Sequence, residues 1–270
     1  MQQITSLQNS KIKLANKLVS KRQREKNNLF LVDDARDLRR ALDNDYKVEF
    51  AFYCTDYATP DDDSLREQIR SDALYDVPAE LIDKASYRQN AGGLVAVLQQ
   101  KPALTYEDAR TFIAENDVQH VLGLADLRKP GNIGALLRTA DATNTQMICL
   151  IDSALDVYNP NIIRASTGAI FLDNVYTLSR DEALSLFNQH NIAILAAHLG
   201  GTASLYDVDF VNQRAAIILG TEDTGLDDWW VEKCDQLVKV PMLGTVTDSL
   251  NVSVTGALLM YEMLRQTHHT

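Results

Sequence analysis

The stretch HVLGLADLRKPGNIGALLRTADATNTQMICL (120–150) reads as strand, loop, helix and second strand. Its ends, HVLGL (120–124) and QMICL (146–150), are apolar nearly throughout, as expected of strands covered on both faces of a parallel sheet. Between them, the loop KPGN leads into a helical pattern over 133–143. Further along, IAILA (192–196), AAIIL (215–219) and LVKV (237–240) repeat the strand signal. Helices are predicted over 180–189, 226–234 and 250–266. This alternation predicts an α/β unit with a parallel sheet over 118–270.

The last of these helices is apolar on two sides. Val254, Ala257, Leu258 and Tyr261 lie on one side, and Val252, Gly256, Met260 and Met263 on another. A helix with two apolar faces needs two partners. The sheet is one, and a second copy of the chain is the expected other, so a homodimer is predicted.

Toward the N-terminus, LFLV (29–32), VEFAFY (48–53), ALYDV (73–77) and LVAVL (94–98) predict strands. DARDLRRALD and DDSLREQIR predict helices between them. These give a smaller α/β/α domain over 1–100. Residues 101–117, with Pro102 and the helical stretch YEDARTFIAEN, are expected to form a linker. The chain opens with a helix predicted from Ser10 to about Asn27. On it, Ile12, Ala15, Leu18 and Val19 form an apolar stripe, and Lys13, Lys17, Lys21 and Arg24 form a basic one.

The charge balance sharpens the meaning of that basic stripe. The 270-residue chain carries Lys+Arg 26 against Asp+Glu 37, a net −11, which argues against a general nucleic-acid binder. Residues 1–30 nonetheless hold seven basic groups and one acid, so this segment is +6 and the remainder −17. A polyanion facing the stripe would relieve the repulsion among its like charges.

Other classes are excluded on simpler grounds. The apolar runs are far shorter than the ~18 residues of a membrane span. The opening MQQITSLQNSKIK has no apolar core of a signal peptide. Cys54, Cys149 and Cys234 are odd in number and lack metal-binding spacing, and the five histidines are scattered. A protein of the cytoplasm, without metal and without a membrane partner, is expected.

Three loops follow predicted strands, where open α/β sheets bind ligands. In the first, Asn132 can cap a helix or reach a ligand, and Arg138 follows two turns later. The second is Gly220-Thr221-Glu222-Asp223-Thr224-Gly225. In the third, Pro241 and Met242 are followed by Ser249-Leu250-Asn251-Val252-Ser253 at the start of the last helix. Each loop alone also reads as a tight turn, an acidic turn or a helix cap.

Taken together, Asn132-x-Gly134-x-x-x-Arg138, Gly220-x-Glu222-x-x-Gly225 and Pro241-Met242…Ser249-Leu250-Asn251-Val252-Ser253 resemble the three motifs of the SpoU (TrmH) branch of the SPOUT RNA methyltransferases. Tyr261-Glu262…Arg265-Gln266 matches the usual ending of that family. The N-terminal hundred residues resemble the ribosomal-protein-like RNA-binding domain found ahead of many such enzymes, best at Ile4-Thr5-Ser6-Leu7-Gln8-Asn9…Lys11-Ile12-Lys13. The chain departs from that pattern in having Asp33-Asp34 where relatives usually have Glu-Gly. It also has Arg128-Lys129-Pro130 where many have an acid before the proline.

The resemblance implies a trefoil knot in the C-terminal domain and S-adenosylmethionine as cofactor. It implies a cofactor site at Ala196, Gly220, Val240, Met242 and Leu250, and a catalytic set of Arg138, Asn132, Glu222, Ser249 and Asn251. The basic set Lys13, Lys17, Lys21 and Arg24 would meet RNA. A glycine-rich G-x-G-x-G turn of the competing methyltransferase fold is missing from the sequence. The implied activity is 2′-O-methylation of a ribose, with 23S ribosomal RNA the expected substrate. A transfer-RNA enzyme and a catalytically inactive RNA-binding or ribosome-assembly factor are the alternatives.

Overall fold

A computed structural model of the protein describes residues 1–88 and 91–268; His269, one of the five histidines, lies outside them. In chain order the elements are β1 (Gln2–Gln3), α1 (Ser10–Lys17), α2 (Lys21–Asn27), β2 (Leu29–Val32), α3 (Ala35–Asp43), β3 (Val48–Tyr53), α4 (Pro60–Arg66), β4 (Leu74–Asp76), α5 (Ala79–Ala85) and β5 (Leu94–Gln99). They continue with α6 (Tyr106–Glu115), β6 (His120–Ala125), α7 (Pro130–Ala142), β7 (Met147–Ile151), α8 (Pro160–Ser166), β8 (Val175–Leu178), α9 (Arg180–Gln189) and β9 (Ile192–Ala197). The last are β10 (Ala203–Ser204), β11 (Arg214–Leu219), α10 (Asp228–Lys233), β12 (Gln236–Lys239) and α11 (Val252–His268).

The chain divides into two compact units. One comprises Met1–Pro102 with Asp156–Leu172, the other Ala103–Leu155 with Asp173–Thr270. Residues 103–117 are therefore not a linker. Ala109 and Ile113 of α6 are buried in the core of the second unit beside Tyr176 of β8, so the helix belongs there.

The first unit holds a five-stranded sheet in the order β1-β4-β3-β5-β2. β1, β4 and β3 run parallel, and β5 pairs antiparallel with both β3 and β2. Ile12, Leu18, Phe52, Ile82 and Val97 fill its core. The segment 156–172 packs with Phe30, whose ring stacks on Tyr158 at 4.5 Å and on Phe171 at 5.7 Å.

The helix expected over 10–27 is two helices. Ser20 takes an extended conformation (φ −87, ψ 130), which ends α1 and restarts the chain as α2. Arg24 is 1% exposed, so the fourth member of the expected basic stripe is a structural residue instead. Its Nη1 donates to the carbonyls of Leu18 and Val19 at 2.6 and 2.7 Å, and its Nη2 pairs with Asp156 at 2.5 Å. The guanidinium thus satisfies the carbonyls that the helix break leaves open. Lys13, Lys17 and Lys21 are exposed, and Lys21 pairs with Glu25 at 3.7 Å.

The second unit is a seven-stranded, fully parallel sheet in the order β10-β12-β9-β11-β6-β7-β8. From β6 the chain builds outward through β7 and β8, then resumes on the far side of β11 with β9. That reversal opens a crevice at the carboxyl ends of the central strands. α11 packs on α7 and β11. Its Gly256 lies so close to them that a Cβ would sit 2.4 Å from Leu136 Cδ2. Gly256, Leu259, Met260 and Met263 are buried, whereas Val254, Leu258 and Tyr261 are 46, 37 and 52% exposed along one stripe.

Candidate active site

The three loops identified in the sequence follow β6, β11 and β12 and meet at the carboxyl ends of the sheet. The loop after β11 is closed by paired backbone hydrogen bonds, Thr221 N to Gly225 O and Gly225 N to Thr221 O, both 3.0 Å. A Cβ at Gly220 would lie 2.3 Å from backbone atoms of Gly225 and Leu226, and Gly225 has φ +73. Both glycines are demanded by this tight closure. It turns Glu222 back toward the start of α7.

There Glu222 Oε1 accepts from Asn132 Nδ2 at 2.9 Å and from Lys129 N at 3.1 Å. Asn132 Oδ1 in turn accepts from Asn251 Nδ2 at 3.2 Å. Asn251 Oδ1 accepts from the backbone N and Oγ of Ser253, at 2.8 and 2.7 Å, and so also caps α11. One chain of hydrogen bonds therefore ties all three loops and ends on a carboxylate. Partial burial works to raise the Glu222 pKa. The Asn132 amide and the backbone N–H groups of Glu222, Lys129 and Arg128 outweigh it and hold the carboxyl below its ordinary range.

The network borders a cavity of about 240 Å³. Gly220, Val240, Met242 and Leu250 line it as expected, and so do Glu222 and Ser249. Ala196 does not, because strand alternation turns it into the core, where it is fully buried. Ala197, His198 and Leu199 line the cavity in its place. His198 Nδ1 accepts from Gly200 N at 3.1 Å, which fixes the ring at the rim. Asn132 and Asn251 stand outside the lining and join it through Glu222.

Arg138 also lies outside the cavity. It is exposed on α7, and among the described residues no hydrogen bond or ion pair engages its guanidinium. No group of three metal-ligating side chains among the described residues is placed to hold a metal ion. Sequence reasoning missed Leu199, whose position depends on where β9 ends.

Comparison with known proteins agrees with this geometry. The SpoU rRNA Methylase family matches over residues 119–261, and an MRM3-like substrate binding domain over 9–96. The 23S rRNA (guanosine(2553)-2′-O)-methyltransferase RlmP of Bacillus subtilis is 26% identical over 97% of this chain and 99% of its own. The 23S rRNA (uridine(2479)-2′-O)-methyltransferase of Streptomyces viridochromogenes is 27% identical over 88% of this chain and 83% of its own. A crystal structure of an RNA 2′-O ribose methyltransferase superposes with a TM-score of 0.81 at 32% identity, covering 98% of both chains. With its three motif loops bound into one network and the family match running over residues 119–261, the chain belongs to the SpoU rRNA Methylase family.

Proposed function

We propose that the protein transfers a methyl group from S-adenosylmethionine to the 2′-hydroxyl of a ribose in RNA, with ribosomal RNA as substrate, and works as a homodimer in the cytoplasm. The observation that carries this reading is the Glu222–Asn132–Asn251 chain, which binds the three motif loops around one cavity. Among the described residues no helix is long and apolar enough to cross a membrane.

The cavity fits the cofactor chemically. Leu199, Met242 and Leu250 offer an apolar bed for an adenine ring. The loops at Gly220, Val240 and Leu250 also line it, and their backbone groups would hold its polar edges. Bound there, S-adenosylmethionine supplies an already activated methyl group. The residues of the chain must therefore do the harder part, which is to orient a ribose and ease the loss of its 2′-hydroxyl proton.

Arg138 is assigned the second task. A guanidinium stays protonated in proteins and is a poor proton acceptor. It acts by stabilising the developing alkoxide or clamping the adjacent phosphate, while that phosphate or water takes the proton. Asn132 orients the ribose, Glu222 holds the loops, and Ser249 and Asn251 fix the loop around the cofactor. Because Arg138 stands outside its own cavity, the dimer gives it a site: the exposed Val254, Leu258 and Tyr261 stripe meets a second copy, and Arg138 acts across that interface. The family's trefoil knot belongs to the same proposal, supported by the return of α11 onto α7 and β11.

The test is calorimetry with S-adenosylmethionine followed by mapping of methylated riboses in RNA from a deletion strain and its parent. Cofactor binding and one ribosomal ribose lost on deletion are expected. A lost methyl group in transfer RNA would redirect the substrate. Absence of cofactor binding would leave an RNA-binding factor without catalysis.

A further inference from the structure

A second cleft lies beside the cofactor cavity, across the loop 221–225. β6 and β7 are each followed directly by an aspartate with φ 51, Asp126 and Asp152. Non-glycine residues rarely adopt this conformation, and aspartate is among the few that tolerate it. It sets both carboxylates at the rim of a cavity of about 180 Å³, whose walls include Arg128, Arg180, Thr224 and the 2%-exposed Trp230. Thr221, Thr224 and Gly225 line both cavities. The loop that begins with Asp126 leads into the first turn of α7, which holds Asn132, so the segments joined by the Asn132–Glu222 bond also form walls of this cleft.

Its charges are already arranged. Asp126 Oδ2 accepts from Arg128 Nη2 at 2.5 Å and Nε at 3.2 Å. Arg180 bridges Asp152 at 2.5 Å and Asp227 at 2.9 Å, and its guanidinium sits 5.3 Å from the Trp229 ring centre. Three carboxylates against two guanidiniums repel a phosphate, and every carboxylate is already bound to an arginine. The fitting ligand is therefore uncharged, planar and a hydrogen-bond donor. Asp126 Oδ1, which takes no hydrogen bond among the described residues, is open to such a donor. The volume is smaller than that of the neighbouring cavity and suits one ring system.

We infer that this cleft receives the nucleobase of the nucleotide being methylated, with Asp126 accepting from an imino N–H on its Watson–Crick edge, as guanine and uracil present. The inference rests on the proposed function and adds the part of the substrate that it leaves open. Enzymes acting on nucleotides within folded RNA or DNA commonly read a displaced base by edge hydrogen bonds and stacking. The two relatives named above act on guanosine and on uridine. Reading of the base must then depend on residues outside the shared motifs, such as those of this cleft.

Trp229 and Trp230 are the only tryptophans of the chain; Trp230 lines this cleft, and Trp229 packs on its wall residue Arg180. Their fluorescence therefore reports its occupancy. Titration with guanosine, uridine, adenosine and cytidine should give saturable quenching, with guanosine or uridine binding at least fivefold more tightly than the other two. Asp126→Asn keeps a residue suited to the same backbone conformation; it should erase that preference and lower kcat/KM for ribosomal RNA about tenfold. S-adenosylmethionine affinity should be unchanged in the variant. No saturable quenching by any nucleoside, a preference for adenosine or cytidine, or an Asp126→Asn variant with wild-type selectivity would overturn the inference. Failure of the proposed function would appear elsewhere, as a wild-type protein that does not bind S-adenosylmethionine.

Discussion

Asn132 Nδ2 donates to Glu222 Oε1 at 2.9 Å, joining residues 90 positions apart and locking the start of α7 to the loop after β11. The bond is charge-assisted, and the same carboxylate oxygen also accepts from Lys129 N. Such bonds contribute about 1.5–3 kcal/mol, more than a neutral pair.

Glu222→Ala should therefore weaken S-adenosylmethionine binding by about tenfold or more, since 1.4 kcal/mol is tenfold. Calorimetry at neutral pH measures this directly. The sign of the pH dependence follows from the lowered pKa of Glu222. Its stabilisation of the loops is fully present above the ordinary carboxylate value of 4.5 and is lost as pH falls through the lower folded value. In the alanine variant that acid-side loss of thermal stability should shrink.

Arg138→Ala should leave folding and cofactor affinity unchanged, because the side chain neither lines the cavity nor bonds to another described residue. Methyl transfer should fall by orders of magnitude, with kcat reduced more than KM is raised. Single-turnover kinetics on ribosomal RNA is the check. Unchanged turnover would remove Arg138 from the mechanism.

The basic residues of the first unit divide into two kinds. Changing Lys13, Lys17 and Lys21 together to Gln should reduce RNA affinity and flatten the slope of log affinity against log salt by about two to three units, at ~0.7–0.9 per phosphate. Stability should hardly move. Arg24→Gln should instead destabilise the protein by about 3–5 kcal/mol, because it strands Asp156 in a buried site. Denaturant titration separates the two outcomes.

Asp37 on α3 is buried with an unpartnered Oδ1. Burial first, and then repulsion from Asp34, push its pKa up to about 7 against the pull of Arg88 and Arg36. A raised carboxyl favours the folded state only while protonated. Its contribution is fully present below the ordinary 3.8 and is lost as pH rises through about 7. Asp37→Asn should flatten stability across that window and exceed the wild type at pH 8 by an amount on the order of 1–3 kcal/mol, read by urea denaturation.

The sheet of the second unit was legible wherever a strand is buried on both faces, because continuous apolar runs such as AAIIL leave little choice. β8 was not, since its sequence VYTL alternates and Thr177 is exposed at the edge. The break between α1 and α2 was hidden because apolar spacing carries straight through Leu18 and Val19. Arg24 looked like a surface charge because Asp156, which neutralises it, is 132 residues away. At the site, residue types suggested caps and turns, and only the motif resemblance joined the loops. The misplacement of the cofactor contact at Ala196 is a matter of one residue, which in a strand is the difference between core and cavity.

The insertion of 156–172 into the first unit also has a consequence for synthesis on the ribosome. When residue 102 has emerged, the sheet β1–β5 is complete in sequence, yet Phe30 lacks Tyr158 and Phe171, and Arg24 lacks its counter-ion. The nascent first unit must wait, partly open, until β6, α7 and β7 of the second have been translated. Neither unit can then finish as an independent N-terminal event, as contiguous domains usually do. Cotranslational folding of this chain is interleaved: the first unit can close once residue 172 has emerged, while the second, already begun, is still incomplete in sequence.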